Sequence, residues 1–168
     1  MEPTVKPLVQ LLELNEDLLL NCLEGVSEAD ARARPLPGAN SIAFVAVHVV
    51  DARHFMARLL GQPIENPLQA TLGEARTIEE VTTFPAVGEL RAMWTGVARH
   101  VLRCLDSASA ELLARPCGQP FPMGDATTVA ALAFLAQHES YHLGQIALLR
   151  RGLGYPAMSY ERRRPTTP

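Results

Sequence analysis

Four stretches of apolar residues recur at three- and four-residue spacing along this chain, and connections rich in proline and glycine part them. That period gathers the apolar side chains of each stretch on one face of a helix, and such a face has to be buried against another helix. No segment makes a convincing strand. The fold class predicted from the pattern is therefore all-α, a four-helix bundle.

The first helix is predicted over residues 7–24, with Leu8, Leu11, Leu12, Leu18, Leu19, Cys22 and Leu23 as its stripe and Gly25 as its stop. Asn15 falls within that stripe and reads as a core amide with its hydrogen bonds satisfied. Residues 27–40 form a connection whose start can make a short helical turn. Asn40 or Ser41 then caps a second helix that ends near Gly61. Its opening is rich in β-branched residues, but Phe44, Val45, His48, Ala52, Phe55 and Leu59 extend one helical stripe too far for a strand.

The connection over residues 62–76 is long enough to let the third helix run parallel to the second, which a short hairpin cannot do. That third helix is expected over about 77–106. Pro85 and Gly88 interrupt its start, and Leu90, Trp94, Val97, Val101 and Leu105 make its stripe. A loop over 107–125 leads to the fourth helix, capped by Thr127 or Thr128 and ending around 152–154. The arginine-rich tail that begins at Glu161 reads as a solvated end or a contact to a second subunit.

The chain has 168 residues, which suggests one domain over 1–168 with a real core. A net charge of −3 argues against nucleic acid as a partner, and no apolar run reaches the length of a membrane span. The amino terminus lacks the basic start and apolar run of a signal peptide. Cys22, Cys104 and Cys117 are odd in number and contain no Cys-x-x-Cys, so they read as reduced thiols in a cytoplasmic protein. Cys117, in a loop of prolines and glycines, is either reactive or idle.

Chemistry concentrates in the segment Gln-His-Glu-Ser-Tyr-His-Leu-Gly over residues 137–144. His138 and His142, four residues apart, share a helix face with Ala131, Leu135, Ile146 and Leu149. His48 lies in the stripe of the second helix. An unpaired buried imidazole nitrogen costs about 1–3 kcal/mol, so three imidazoles on core faces call for a common partner. A divalent metal is such a partner, and three protein ligands leave coordination positions open for chemistry. His54 and His100 lie off their stripes and read as surface or boundary residues.

Glu139 completes a His-Glu-x-x-His pattern, in which the glutamate of a zinc metalloprotease activates water. The extended form is missing, since Gln145 and Leu148 stand where its glycine and third histidine would be, and there is no strand for a substrate edge. A protease of that kind is the remote alternative. Glu139 is otherwise a candidate general base, an outer partner of the site, or a surface carboxylate. Gln145 follows His142 by three residues and is a candidate to contact a metal-bound ligand. Asp51, three residues after His48, is either an outer partner of an imidazole or an exposed carboxylate. Tyr141 lies off the stripe and is expected to pack between helices or subunits.

His48 in a helix that ends Leu59-Leu60-Gly61, with His138-Glu-Ser-Tyr-His142-Leu-Gly-Gln145-Ile followed by Arg150-Arg151, resembles the DinB/YfiT-like superfamily. The resemblance implies an up-down-down-up bundle in which His48, His138 and His142 hold one divalent ion, nickel or zinc. It also implies a homodimer and a small-molecule substrate. That family includes transferases and isomerases that use a low-molecular-weight thiol, and metal-dependent hydrolases. The expectation is thus a metal-dependent hydrolase or a transferase with a thiol cosubstrate. Its rival is a non-catalytic, metal-stabilised bundle that binds a small ligand or a partner.

Overall fold

The computed structural model describes residues 2–72, 75, 77–81 and 83–161. Seven α-helices occur among them: α1 (Lys6–Cys22), α2 (Glu28–Arg32), α3 (Ile42–Leu59), α4 (Gln69–Leu72), α5 (Val87–Ser107), α6 (Ala110–Ala114) and α7 (Thr128–Gly152). Short 3-10 turns at Pro3–Val5 and Ile78–Glu80 complete the set. The arginines of the tail lie outside the described residues.

Helix ends follow local chemistry. Of the alternative caps, Ser41 and Thr127 are the ones used: Ser41 Oγ accepts from Phe44 N at 3.2 Å and Thr127 Oγ1 from Ala130 N at 3.3 Å. The short turn expected after Ser27 is α2, with Ser27 Oγ accepting from Asp30 N at 3.1 Å. The third long helix starts at Val87 rather than near residue 77, because Pro85 stops it from beginning earlier. Glu89 caps that start by accepting from Ala86 N at 2.8 Å. Gly61 takes φ +73 just beyond α3, a left-handed turn that glycine enters without steric cost.

The four long helices make the bundle, and side-chain contacts give their directions. Asn15 of α1 bonds Glu139 of α7, and Arg150 further along α7 reaches the carbonyl of Cys22, so α1 and α7 run parallel. Arg91 of α5 donates to Leu20 O and Trp94 to Glu16 O, so α5 opposes α1. Arg53 of α3 meets Glu139, while the earlier Val45 shares a cleft with the later Leu149, so α3 opposes α7. The order is up-down-down-up, and the long connection between α3 and α5 makes their parallel course possible. Each of α1 and α3 packs on both α5 and α7. Leu12, Leu19, Val47, Val50, Trp94, Val101, Leu132 and Ile146 fill the centre.

Candidate metal centre

His48 on α3 and His138 and His142 on α7 converge on one point. Nε2 of His138 lies 3.1 Å from Nε2 of His48 and 3.0 Å from Nε2 of His142. These are the three side chains among the described residues that can offer nitrogen, sulfur or carboxylate ligands to a common ion. Metal–imidazole bonds of about 2.0–2.1 Å put ligand nitrogens roughly 3.0–3.4 Å apart, so the observed spacing fits one ion bound by all three.

The protonation chemistry fits as well. His142 Nδ1 sits 2.7 Å from Gln145 Oε1, so Nδ1 carries the proton and Nε2 keeps its lone pair for the centre. His138 Nδ1 is buried with no hydrogen-bond partner among the described residues, which leaves Nε2 as that ring's point of interaction. Burial lowers the pKa of all three rings. For His138, burial first and then the neighbouring His142 and His48 bring it to about 4. His48 is lowered by burial and by His142, against an opposing pull from Asp51. His142 is lowered by burial, partly offset by its bond to Gln145. All three are held neutral at physiological pH, the form that binds a metal.

The structure corrects which residues form the core face. His48, His138 and His142 are half-buried, on the flank of the α3–α7 contact rather than inside it. The buried face of α7 is broad: Ala131, Leu135, Ile146 and Leu149 are buried as expected, together with Leu132, Ala136, Glu139 and Leu143. The histidines lie at the edge of that face. His54, expected at the surface or boundary, is only 3% exposed, because α3 is covered on nearly every side. His100 is half-buried, with Nε2 2.7 Å from Gln62 O.

Glu139 stands apart from the imidazoles. It is fully buried, and both of its oxygens are engaged by Arg53, with Asn15 Nδ2 donating to Oε2 at 3.2 Å. Burial raises its pKa, while Arg53 and Asn15 pull it down. The structure takes this glutamate into the core and not to a surface. Asn15 is the satisfied core amide expected, donating also to Ala136 O at 3.2 Å and accepting from Ser140 Oγ.

The sequence reading passed over Arg53. Its signal is an arginine on a mostly apolar helix, matched by the single acid of α7. Gln145 does reach the site, through His142. Asp51 is half-buried and accepts from Asn66 Nδ2 at 2.6 Å, with no hydrogen bond to His48 among the described residues. Tyr141 is 59% exposed, its ring centroid 5.2 Å from that of His142.

Aromatic rings close one end of the centre. Phe134 stands 6.1 Å from His138, and Phe121 reaches over from the loop before α7 to lie 5.4 Å from Phe134 and 6.2 Å from Phe55. Toward the other end, one turn from His48 and from His142, Val45 and Gln145 line a cleft.

The profile of the DinB superfamily matches residues 11–146. Among solved structures, YfiT from Bacillus subtilis, described as a probable metal-dependent hydrolase with an unusual four-helix bundle topology, is similar. It has a TM-score of 0.69 over 93% of this chain and 91% of its own, at 16% identity. The DinB-like protein YjoA from Bacillus subtilis gives a TM-score of 0.65 over 94% of this chain and 100% of its own, at 17% identity. At such identities the likeness shows the bundle fold alone. None of the curated proteins matches the chain.

Proposed function

The chain belongs to the DinB superfamily, and on that footing we propose that it is a metal-dependent hydrolase of a small ester or amide, with one zinc or nickel ion per chain. The observation that carries the reading is the convergence of three Nε2 atoms from two helices, spaced as ligands of one ion. The shared fold with YfiT, described as a probable metal-dependent hydrolase, adds support.

The ion would supply Lewis acidity, polarising a carbonyl and acidifying a water. The protein would do the rest. His48, His138 and His142 hold the ion as neutral donors, and Gln145 keeps His142 in the tautomer that leaves Nε2 free. Phe55, Phe121 and Phe134 keep bulk water from one side, which strengthens electrostatic interactions at the centre. We give Glu139 no part in proton transfer, since its oxygens are committed to Arg53 and Asn15.

Transfer to or from a low-molecular-weight thiol can use the same three ligands, as can a non-catalytic bundle that the ion only stabilises. Metal analysis of tag-free protein, with His48→Ala and His138→Ala alongside, tests the ligand set. The expected result is about one ion per chain, lost in both variants. An ester and amide panel, run with and without added thiol, then separates the readings. Turnover that needs no thiol supports hydrolysis, and turnover only with thiol replaces it with transfer. A chelator that lowers Tm with no turnover under any condition leaves the stabilising role. Three free cysteines support the cytoplasm as its compartment, and no helix among the described residues is long and apolar enough to cross a membrane. A homodimer is part of the same proposal, checked by light scattering.

A further inference from the structure

The cleft beside the histidines has a composition that selects its occupant. It holds about 230 Å³ between the loop over residues 36–40 and the second half of α7. At roughly 30 Å³ per water-sized group, that space takes about seven non-hydrogen atoms. Its apolar walls come from Leu36, Ala39, Val45, Leu148 and Leu149, and no charged side chain among the described residues lines it. Arg34, just before this loop, donates to Ala39 O at 2.7 Å and pairs with Glu79 at 2.8 Å.

Asn40 and Gln145 are the polar side chains of the lining. Gln145 is asymmetric in what it offers. Its Oε1 is held by His142, which leaves its NH2 as a donor with no partner among the described residues. A cleft with apolar walls and a spare N–H donor one turn from the ligands suits an uncharged carbonyl compound with a short aliphatic arm. An anion or a cation would lose hydration there with no counter-charge to replace it.

We propose that this cleft binds the uncharged aliphatic arm of the substrate and that Gln145 donates through Nε2 to a carbonyl oxygen of that arm. For its role in turnover the inference rests on the hydrolase reading, but the binding itself does not, and the test is set in metal-free protein for that reason. Pentanamide, pentanoate and pentylamine share one chain length and differ in charge. Each is titrated into chelator-treated protein and followed by amide shifts in 1H–15N spectra.

Pentanamide is expected to bind at least tenfold more tightly than either ion, with shifts centred on Ala39, Gln145 and Leu148. Gln145→Glu keeps an acceptor for His142 and loses the donor, so it should weaken pentanamide five- to tenfold. Leu148→Ala, at a side chain 62% exposed and therefore safe for folding, should weaken it about threefold. Equal binding of all three probes, shifts away from the cleft, or a Gln145→Glu variant that binds pentanamide as well as the parent would overturn the proposal. Absence of metal from the purified protein would count against the hydrolase reading alone.

Discussion

Arg53 and Glu139 form an ion pair from which water is wholly excluded, one residue along α7 from His138. The guanidinium donates through Nε and Nη2 to the carboxylate and through Nη2 to Leu12 O at 2.9 Å, and it lies 4.6 Å from the centroid of the Trp94 ring. With Asn15 on α1 joined to Glu139, the network touches all four long helices. It fixes the register of α3 against α7, and that register is what lets His48 meet His138 and His142.

Removing half of this pair strands a buried charge. Glu139→Ala should lower stability by about 3–5 kcal/mol, and Arg53→Ala by a similar amount. Replacing both with Leu and Met should recover most of the loss, since no charge is then left unpaired. Urea denaturation of the four proteins measures this. A Glu139→Ala variant as stable as the parent would show that the pair does not hold the register.

The bundle was legible in the sequence because each long helix has an apolar stripe and because proline, glycine and cap residues mark the ends. The length of the connection between α3 and α5 allowed their parallel course, and the resemblance to the DinB/YfiT-like superfamily implied it. The rotation of α7 was not legible. Its apolar residues spread over one broad face, and a period cannot say which residues sit at the centre of that face and which at its edge. Glu139 borders the histidine stripe in the sequence, where a carboxylate can face either solvent or the site, and only its pairing with Arg53 takes it into the core. Chemistry was legible where geometry was ambiguous: His138 and His142 at one helical turn, with a third histidine on a neighbouring helix, meet wherever the stripe lies.

Gln145 selects the proton position on His142, so its loss should be felt in metal binding before it is felt in folding. Gln145→Leu should weaken affinity for zinc by about 10- to 100-fold, the usual consequence of removing an outer partner of a ligating histidine. Tm of the metal-free protein should shift little, because the side chain is only half-buried. Competition with a chromophoric chelator gives the affinity. Unchanged affinity would mean that His142 holds its tautomer without the amide.

The cysteines differ in reactivity for physical reasons. Cys22 is fully buried, and burial pushes its thiol up to about 12, so almost no thiolate exists at neutral pH. Cys104 is buried and raised by the same cause. Cys117 is half-exposed, with Sγ 3.0 Å from Gln119 O. A disulfide reagent applied to native protein should label Cys117 first and Cys22 only on unfolding, and peptide mapping of the modified protein would show the order. Early labelling of Cys22 would contradict the packing of α1 against α7.

The imidazoles of His48, His138 and His142 also make stability depend on pH in the metal-free protein. Each has a folded pKa below the ordinary value of 6.5, and His138 is brought to about 4. As pH falls through 6.5 the unfolded chain takes up protons before the folded one does. Stability then declines as pH falls, because protons are bound more by the unfolded state. The contribution of His138 is therefore complete above 6.5 and is lost progressively toward about 4. With zinc bound the ligating nitrogens take no protons at all, so the decline is at least as steep, and the two curves merge where acid displaces the ion. Urea midpoints between pH 4 and 8, with and without zinc, should diverge most above 6.5. In His138→Ala the metal-free curve should flatten over that interval, whereas an unchanged slope would place the acid sensitivity in another group.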